Sequence, residues 1–317
     1  MKMKKKAILI LLIINALILR GQVSPLFSIY REQTATLNPA MPSIGYLISE
    51  YNNSVSATYR YQWIGVEGAP VTQVLNWESM PTDRNILIGA HVVNDKTGDI
   101  GSTGINGQFA YKIALSRTEN RLLSIGMSAG IQSFYANLAR DAAELNINLG
   151  NTRKTILDLN IGAYYHHDNR FYVGVSTPQL LGNRIYLNST EETQRYSVKK
   201  AHHIYAVGGM YLDAPFFGND GAYIEPNIWM RYLTDTHEFS MDVNVRASIS
   251  SSFWVGTGYN LTAQTLNIET GTILAESIGL NTGQVKIGMG FGIPMGKNLS
   301  GLGPIGEVYL CYAWGNN

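Results

Sequence analysis

The sequence predicts an all-β fold: a transmembrane antiparallel β-barrel of about fourteen strands with a non-strand N-terminal segment in front of it. Three observations predict it. Apolar and polar residues alternate over stretches of ~9–11 residues, the length at which a tilted strand crosses an apolar layer. Charged residues are 15% of the 317 positions and hydrophobic residues, 19 tyrosines among them, 45%; 32 glycines are part of the remainder. Soluble chains carry roughly 25% charge. Beyond residue 21, no run approaches the about 18 continuous apolar residues of a membrane helix. The apolar residues are spread out, as alternating strands require.

Residues 1–21 read as a signal peptide. Lys2, Lys4, Lys5 and Lys6 precede the uncharged apolar run AILILLIINALIL (7–19), and cleavage is expected near Gly21 and Gln22. A retained membrane anchor is the alternative. Loss of residues 1–21 removes five positive charges (Lys2, Lys4, Lys5, Lys6 and Arg20) and leaves 19 Lys and Arg against 23 Asp and Glu. That balance gives no reason to expect nucleic acid as a partner. Cys311 stands alone, so an exported chain has no intrachain disulfide, and no cysteine lies near the cleavage site to take a lipid. It reads as a small strand side chain.

Residues 22–50 are not strand-like. They contain Leu37-Asn38-Pro39-Ala40-Met41-Pro42, whose prolines block regular structure. This segment is expected to plug the lumen, line it, or hang below it on the periplasmic side. Residues 51–317 are the expected outer-membrane barrel. Its opening stretch, YRYQWIGVEGAP (59–70), sets Tyr59, Tyr61 and Trp63 toward lipid and Arg60 and Gln62 inward. Gly65, Gly68 and Pro70 then build the first connection.

The alternation is clearest in EFSMDVNVRAS (238–248), GINGQFAYKIAL (104–115) and GQVKIGMGFGI (283–293). In each, one face is large and apolar, and the other is small or neutral-polar with an isolated charge, as suits a crowded or wet barrel interior. Strands are expected to start near Ser54, Val71, Asn85, Ile105, Leu122, Thr155, Arg170, His203, Gly221, Glu238, Phe253, Ile273, Gln284 and Ile305. Trp63, Trp77, Trp229, Trp254 and Trp314, with nearby tyrosines, are candidates for interfacial girdles. An even strand number puts both termini on the periplasmic side and the longer connections, 137–154 and 180–201, at the cell surface. A charge at Val243 or Val245 is therefore expected to cost a few kcal/mol near the bilayer middle, and one at Asn244 to be tolerated.

Little here points to chemistry. The pairs His166-His167 and His202-His203 are adjacent, and adjacent strand residues face opposite ways, so neither pair chelates one metal. Asn94-Asp95-Lys96-Thr97-Gly98-Asp99 lacks the spacing and closing glutamate of an EF-hand. There is no Gly-x-Ser-x-Gly elbow. No catalytic residue, cofactor or metal is expected.

A resemblance spans most of the chain. PLFSIYREQTATLNPAMPS (25–43) has an aromatic-rich start leading to an Asn-Pro-Ala step, and YRYQWIGVEGAPVTQ (59–73) combines Tyr-Arg-x-Gln-Trp with Gly-x-x-Gly-Ala-Pro. IGAHVVNDKTGDIGSTGINGQFAYKIALS (88–116) carries an Asn-Asp-x-x-Gly turn, and LSIGMSAGIQSFYANL (123–138), DNRFYVGVSTPQLLGN (168–183) and FWVGTGY (253–259) follow in order. With these motifs the chain resembles the PorP/SprF family of type IX secretion system outer-membrane proteins.

The resemblance implies a Bacteroidetes outer-membrane barrel acting in secretion and often in gliding motility. It implies as partners a large secreted adhesin with a C-terminal sorting domain, other components of the secretion apparatus, and outer-membrane lipid. The motif residues it marks for partner binding are Asn38, Pro39, Arg60, Gln62, Trp63, Gly65, Gly68, Ala69, Pro70, Asn94, Asp95 and Gly98. One departure is the end of the chain, Ala313-Trp314-Gly315-Asn316-Asn317, where a barrel commonly ends on an aromatic residue. A passive porin is the competing expectation, and an outer-membrane hydrolase a third.

Overall fold

The computed structural model describes residues 27–42, 51–81, 85–116, 121–137, 151–168, 170–186, 197–200, 202–218, 221–274, 283–296 and 302–316. Fourteen of its strands make one wall. They are β1 (Tyr51–Tyr61), β2 (Val71–Ser79), β3 (Ile86–Thr97), β4 (Ile100–Ala114), β5 (Arg121–Ala136), β6 (Thr152–His167) and β7 (Phe171–Thr177). The second half is β8 (His203–Met210), β9 (Tyr223–Leu233), β10 (Glu238–Ser250), β11 (Phe253–Asn260), β12 (Thr265–Leu274), β13 (Gly283–Pro294) and β14 (Ile305–Asn316). Each pairs antiparallel with its neighbours in sequence. β14 returns to pair with β1, from Tyr51 opposite Asn316 to Tyr61 opposite Gly306, so the wall has no free edge. Closure satisfies the backbone groups for which a bilayer offers no partners.

The two faces fall as the alternation requires. On β10, Phe239, Val243 and Val245 are exposed outward, while Ser240, Asn244 and Arg246 are buried inward. On β13, Met289, Phe291 and Ile293 point out, and Gln284 and Lys286 point in. Strand length varies more than the expected ~9–11 residues, from seven in β7 to sixteen in β5 and β6.

Three expectations are corrected. The twelfth strand spans Thr265–Leu274 and does not begin at Ile273. Its outward row includes Thr270 and Thr272 beside Ile268, so the apolar period is interrupted and the strand hides from the pattern. Trp63 is not on β1: the strand ends at Tyr61, and Trp63 has a φ of 57° in the following turn. Trp229 and Trp254 are not girdle residues but buried lumen side chains. Arg246 and Lys286 lie over the Trp254 ring at 5.4 and 4.8 Å, which gives the indole an inward reason to point. The expected signal peptide, residues 22–26 and 43–50, most of the 137–154 connection and half of the 180–201 connection lie outside the described residues.

The core sits inside the barrel. Residues 27–42 enter the lumen as a 3-10 turn (Tyr30–Gln33) running into a single α-helical turn (Thr34–Leu37), and all but Thr36 are buried. The helix stops at Asn38, whose backbone is extended (φ −145°, ψ 108°), as the residue before a proline prefers. One side of the segment, Phe27, Tyr30, Leu37 and Met41, packs on Tyr164, Tyr172, Tyr205, Val207 and Trp229. The Tyr30 and Trp229 rings meet edge to face at 4.8 Å.

Candidate functional site

The other side of the segment is ionic. Arg31 donates from Nε to Glu225 Oε2 and from Nη1 to Glu269 Oε1, both at 2.9 Å. Arg246 forks onto Glu269 at 3.0 and 2.8 Å and reaches Glu32 Oε1 at 2.9 Å. Lys286 Nζ lies 2.8 Å from both Glu32 oxygens. Tyr172 donates its hydroxyl to Glu225 at 2.6 Å. Three cations thus interlock with three carboxylates, with every side chain buried. A buried charge costs several kcal/mol to desolvate, and matched geometry of this kind is what offsets it. Burial alone would raise the Glu32 carboxyl, but Lys286 and Arg246 outweigh it and hold that group at about 2.

A second centre ties the lumen to the barrel rim. Glu307 on β14 accepts the main-chain N–H of Ser28 at 2.7 Å and of Ile29 at 3.0 Å. The same carboxylate takes Arg60 Nε at 2.8 Å, and Arg60 Nη1 donates to Gln62 at 2.7 Å. Gln62 opens the β1–β2 turn, closed by its N–H on the Pro70 carbonyl at 2.9 Å.

The turn carries half of the motif residues. Trp63, Gly65, Gly68, Ala69 and Pro70 lie within it. Its Gly68 carbonyl accepts the Gly98 N–H of the β3–β4 turn at 2.9 Å. Both glycines have positive φ, 70° and 56°, and a Cβ on Gly68 would sit 3.4 Å from Gly98 Cα. Glycine is needed at both positions for the left-handed conformation. Asn94 and Asp95 are on β3 itself, opposite Gln73 and Thr72. Thr72 donates to Asp95 at 2.6 Å and Thr103 to Asn94 at 2.8 Å.

Ten of the twelve motif residues therefore gather at one rim, at the Tyr61 end of β1. Asn38 and Pro39 do not. They lie deep in the lumen against β5 to β7, where the Asn38 amide donates to the Ala163 and Val175 carbonyls at 3.2 and 3.3 Å. Its oxygen accepts the Ala40 N–H at 2.9 Å. Room for this step comes from glycines in the wall: a Cβ on Gly126 would lie 2.5 Å from the Pro39 carbonyl, and one on Gly162 would strike the Asn38 side chain.

Sequence reasoning missed Arg31, Glu32, Glu225, Glu269 and Glu307. It placed Arg246 and Lys286 inward without partners. The available signal was a charged side chain in the inward register of an otherwise neutral strand. What the signal lacks is the partner, which for Arg246 lies 23 residues away at Glu269 and for Arg31 lies 194 residues away at Glu225.

Residues 19–312 match the family described as "Type IX secretion system membrane protein PorP/SprF". No curated protein matches the sequence. Among solved structures, the CymD monoaromatic hydrocarbon channel is similar in fold, with TM-score 0.55 and 10% identity over 93% of this chain and 95% of that one. A Pseudomonas aeruginosa FadL homologue gives TM-score 0.49 at 10% identity, covering 89% and 94%. The Pseudomonas putida toluene transporter TodX gives 0.47 at 8%, covering 93% and 98%. At such identity the CymD likeness speaks for the barrel alone.

Proposed function

Because the chain belongs to the type IX secretion system membrane protein PorP/SprF family, we propose that it serves that system as a non-catalytic outer-membrane component. In this reading it helps export or surface-anchor a large secreted adhesin by binding that protein's C-terminal sorting domain, and contributes to gliding motility. The family match over residues 19–312 carries the reading. The rim supports it. Two glycine turns locked on each other hold Trp63, Ile64 and Glu67 at the barrel mouth, with Ile64 42% exposed.

The test is affinity purification of the full-length chain in mild detergent, followed by binding of an isolated sorting domain. Recovery of a large secreted protein, and weaker binding after Gly68→Val, are the expected results. Recovery of no such protein together with steady ion conductance would overturn the reading in favour of a passive porin.

A further inference from the structure

We propose that the barrel lumen is a peptide-binding site, with residues 27–42 as its ligand in cis and a polypeptide of another chain as its ligand by exchange. The segment adds no strand to the wall, and the wall holds it as it would hold a peptide. Glu307 grips two consecutive main-chain amides, Ser28 and Ile29. Ser176 Oγ donates to the Leu37 carbonyl at 2.6 Å. Contacts to the main chain do not depend on side-chain identity. Selectivity comes from Tyr30, Arg31 and Glu32: an aromatic ring against Trp229, then a cation and a carboxylate in sequence. The ligand class is a polypeptide segment with that aromatic–cation–carboxylate order.

The charges of the wall are arranged for an occupant that leaves. Arg60 pairs with Glu307, and Arg246 with Glu269, within the wall itself. Both pairs persist when the segment is out. Among the described residues, Glu225 is the carboxylate that loses its cation, Arg31, and Lys286 the cation that loses its anion, Glu32. The vacant site therefore displays one carboxylate and one ammonium, and an incoming cation–carboxylate pair matches them. This inference stands on the lumen and does not depend on the secretion reading.

Ile29 packs on Tyr309 and the native Cys311, which supplies a lock. In the full-length Ile29→Cys chain, oxidation to a disulfide with Cys311 fixes the segment in place, and free-thiol titration verifies the bond. The probe is a labelled synthetic peptide of residues 27–42. The unlocked chain is expected to bind it saturably, the locked chain not at all, and reductant to restore binding. A peptide with Arg31 and Glu32 exchanged is expected to bind at least tenfold more weakly.

Tyr30→Ala in the full-length chain, which removes the ring packed on Trp229 from the cis ligand and leaves the wall and the probe peptide unchanged, is expected to raise peptide occupancy, and it tests the proposal if the disulfide does not form. Equal binding to locked and unlocked chains, or equal binding of the exchanged peptide, overturns the proposal. So does absence of binding to both the unlocked chain and Tyr30→Ala.

Discussion

Glu307 is where the rim and the lumen segment meet. One buried carboxylate holds Arg60 and two main-chain amides, so its loss leaves a buried guanidinium without its anion. Removing one partner of a buried pair costs about 3–5 kcal/mol. Glu307→Ala is expected to lower the temperature at which the barrel loses its heat-modifiable gel mobility, whereas Glu67→Ala, at an exposed turn position, stays within about 0.5 kcal/mol. The segment also has a defined acid limit. The Glu32 carboxyl is held at about 2 against an ordinary 4.5, so the native state releases its proton more readily than the unfolded chain. The resulting stabilisation is full above 4.5 and fades as pH falls through about 2. Pepsin is therefore expected to spare residues 27–42 at pH 4 and to cut them as pH approaches 2; cutting that begins at pH 4 would contradict the assignment.

At the scale of the strand, period-two alternation made the faces readable. Outward Val243 and inward Asn244 on β10 stand as read. Val243→Lys is expected to cost about 2–4 kcal/mol if it lies near the bilayer middle, measured as a shift in the urea midpoint of the lipid-folded barrel. At Asn244, where the sequence alone leads to an expectation of tolerance, a charge is expected to cost stability in the same urea measurement. The lumen there is filled: Asn244 donates to Asn227 at 3.3 Å, and Gly258 leaves its side chain room. The alternation tells which way a residue points, but not whether water or protein waits on that side. β12 was mislaid for a related reason, since threonine on the outward row looks the same as threonine on the inward one. A glycine pair separates wall from slot. Gly126→Ala presses on Pro39 and is expected to make residues 37–41 protease-sensitive, while Gly107→Ala, whose Cβ meets nothing nearer than 4.0 Å, leaves them protected.

For the whole molecule, strand number and closure were legible because fourteen short alternating runs have few ways to satisfy their edges. The family was legible because its motifs keep their order along the chain. The joint purpose of those motifs was not. Arg60 near the start of the barrel braces the Glu307 that grips one end of the lumen segment, and Asn38 is the segment's own anchor on the wall at its other end, through partners that no local pattern names. With that segment seated, the full-length barrel in a planar bilayer is expected to pass little current. Steady conductance with the Ile29→Cys lock closed would mean that ions run past it.

The closing pair of β1 and β14 has a consequence in time. The earliest part of the segment rests on Glu307 and Lys286, 279 and 254 positions downstream of Ser28 and Glu32. Until the ribosome has delivered the final two strands, there is nowhere for these first residues to go. A newborn chain must therefore keep its beginning in waiting for its end, and these first residues are without their lumen partners until the last hairpin arrives.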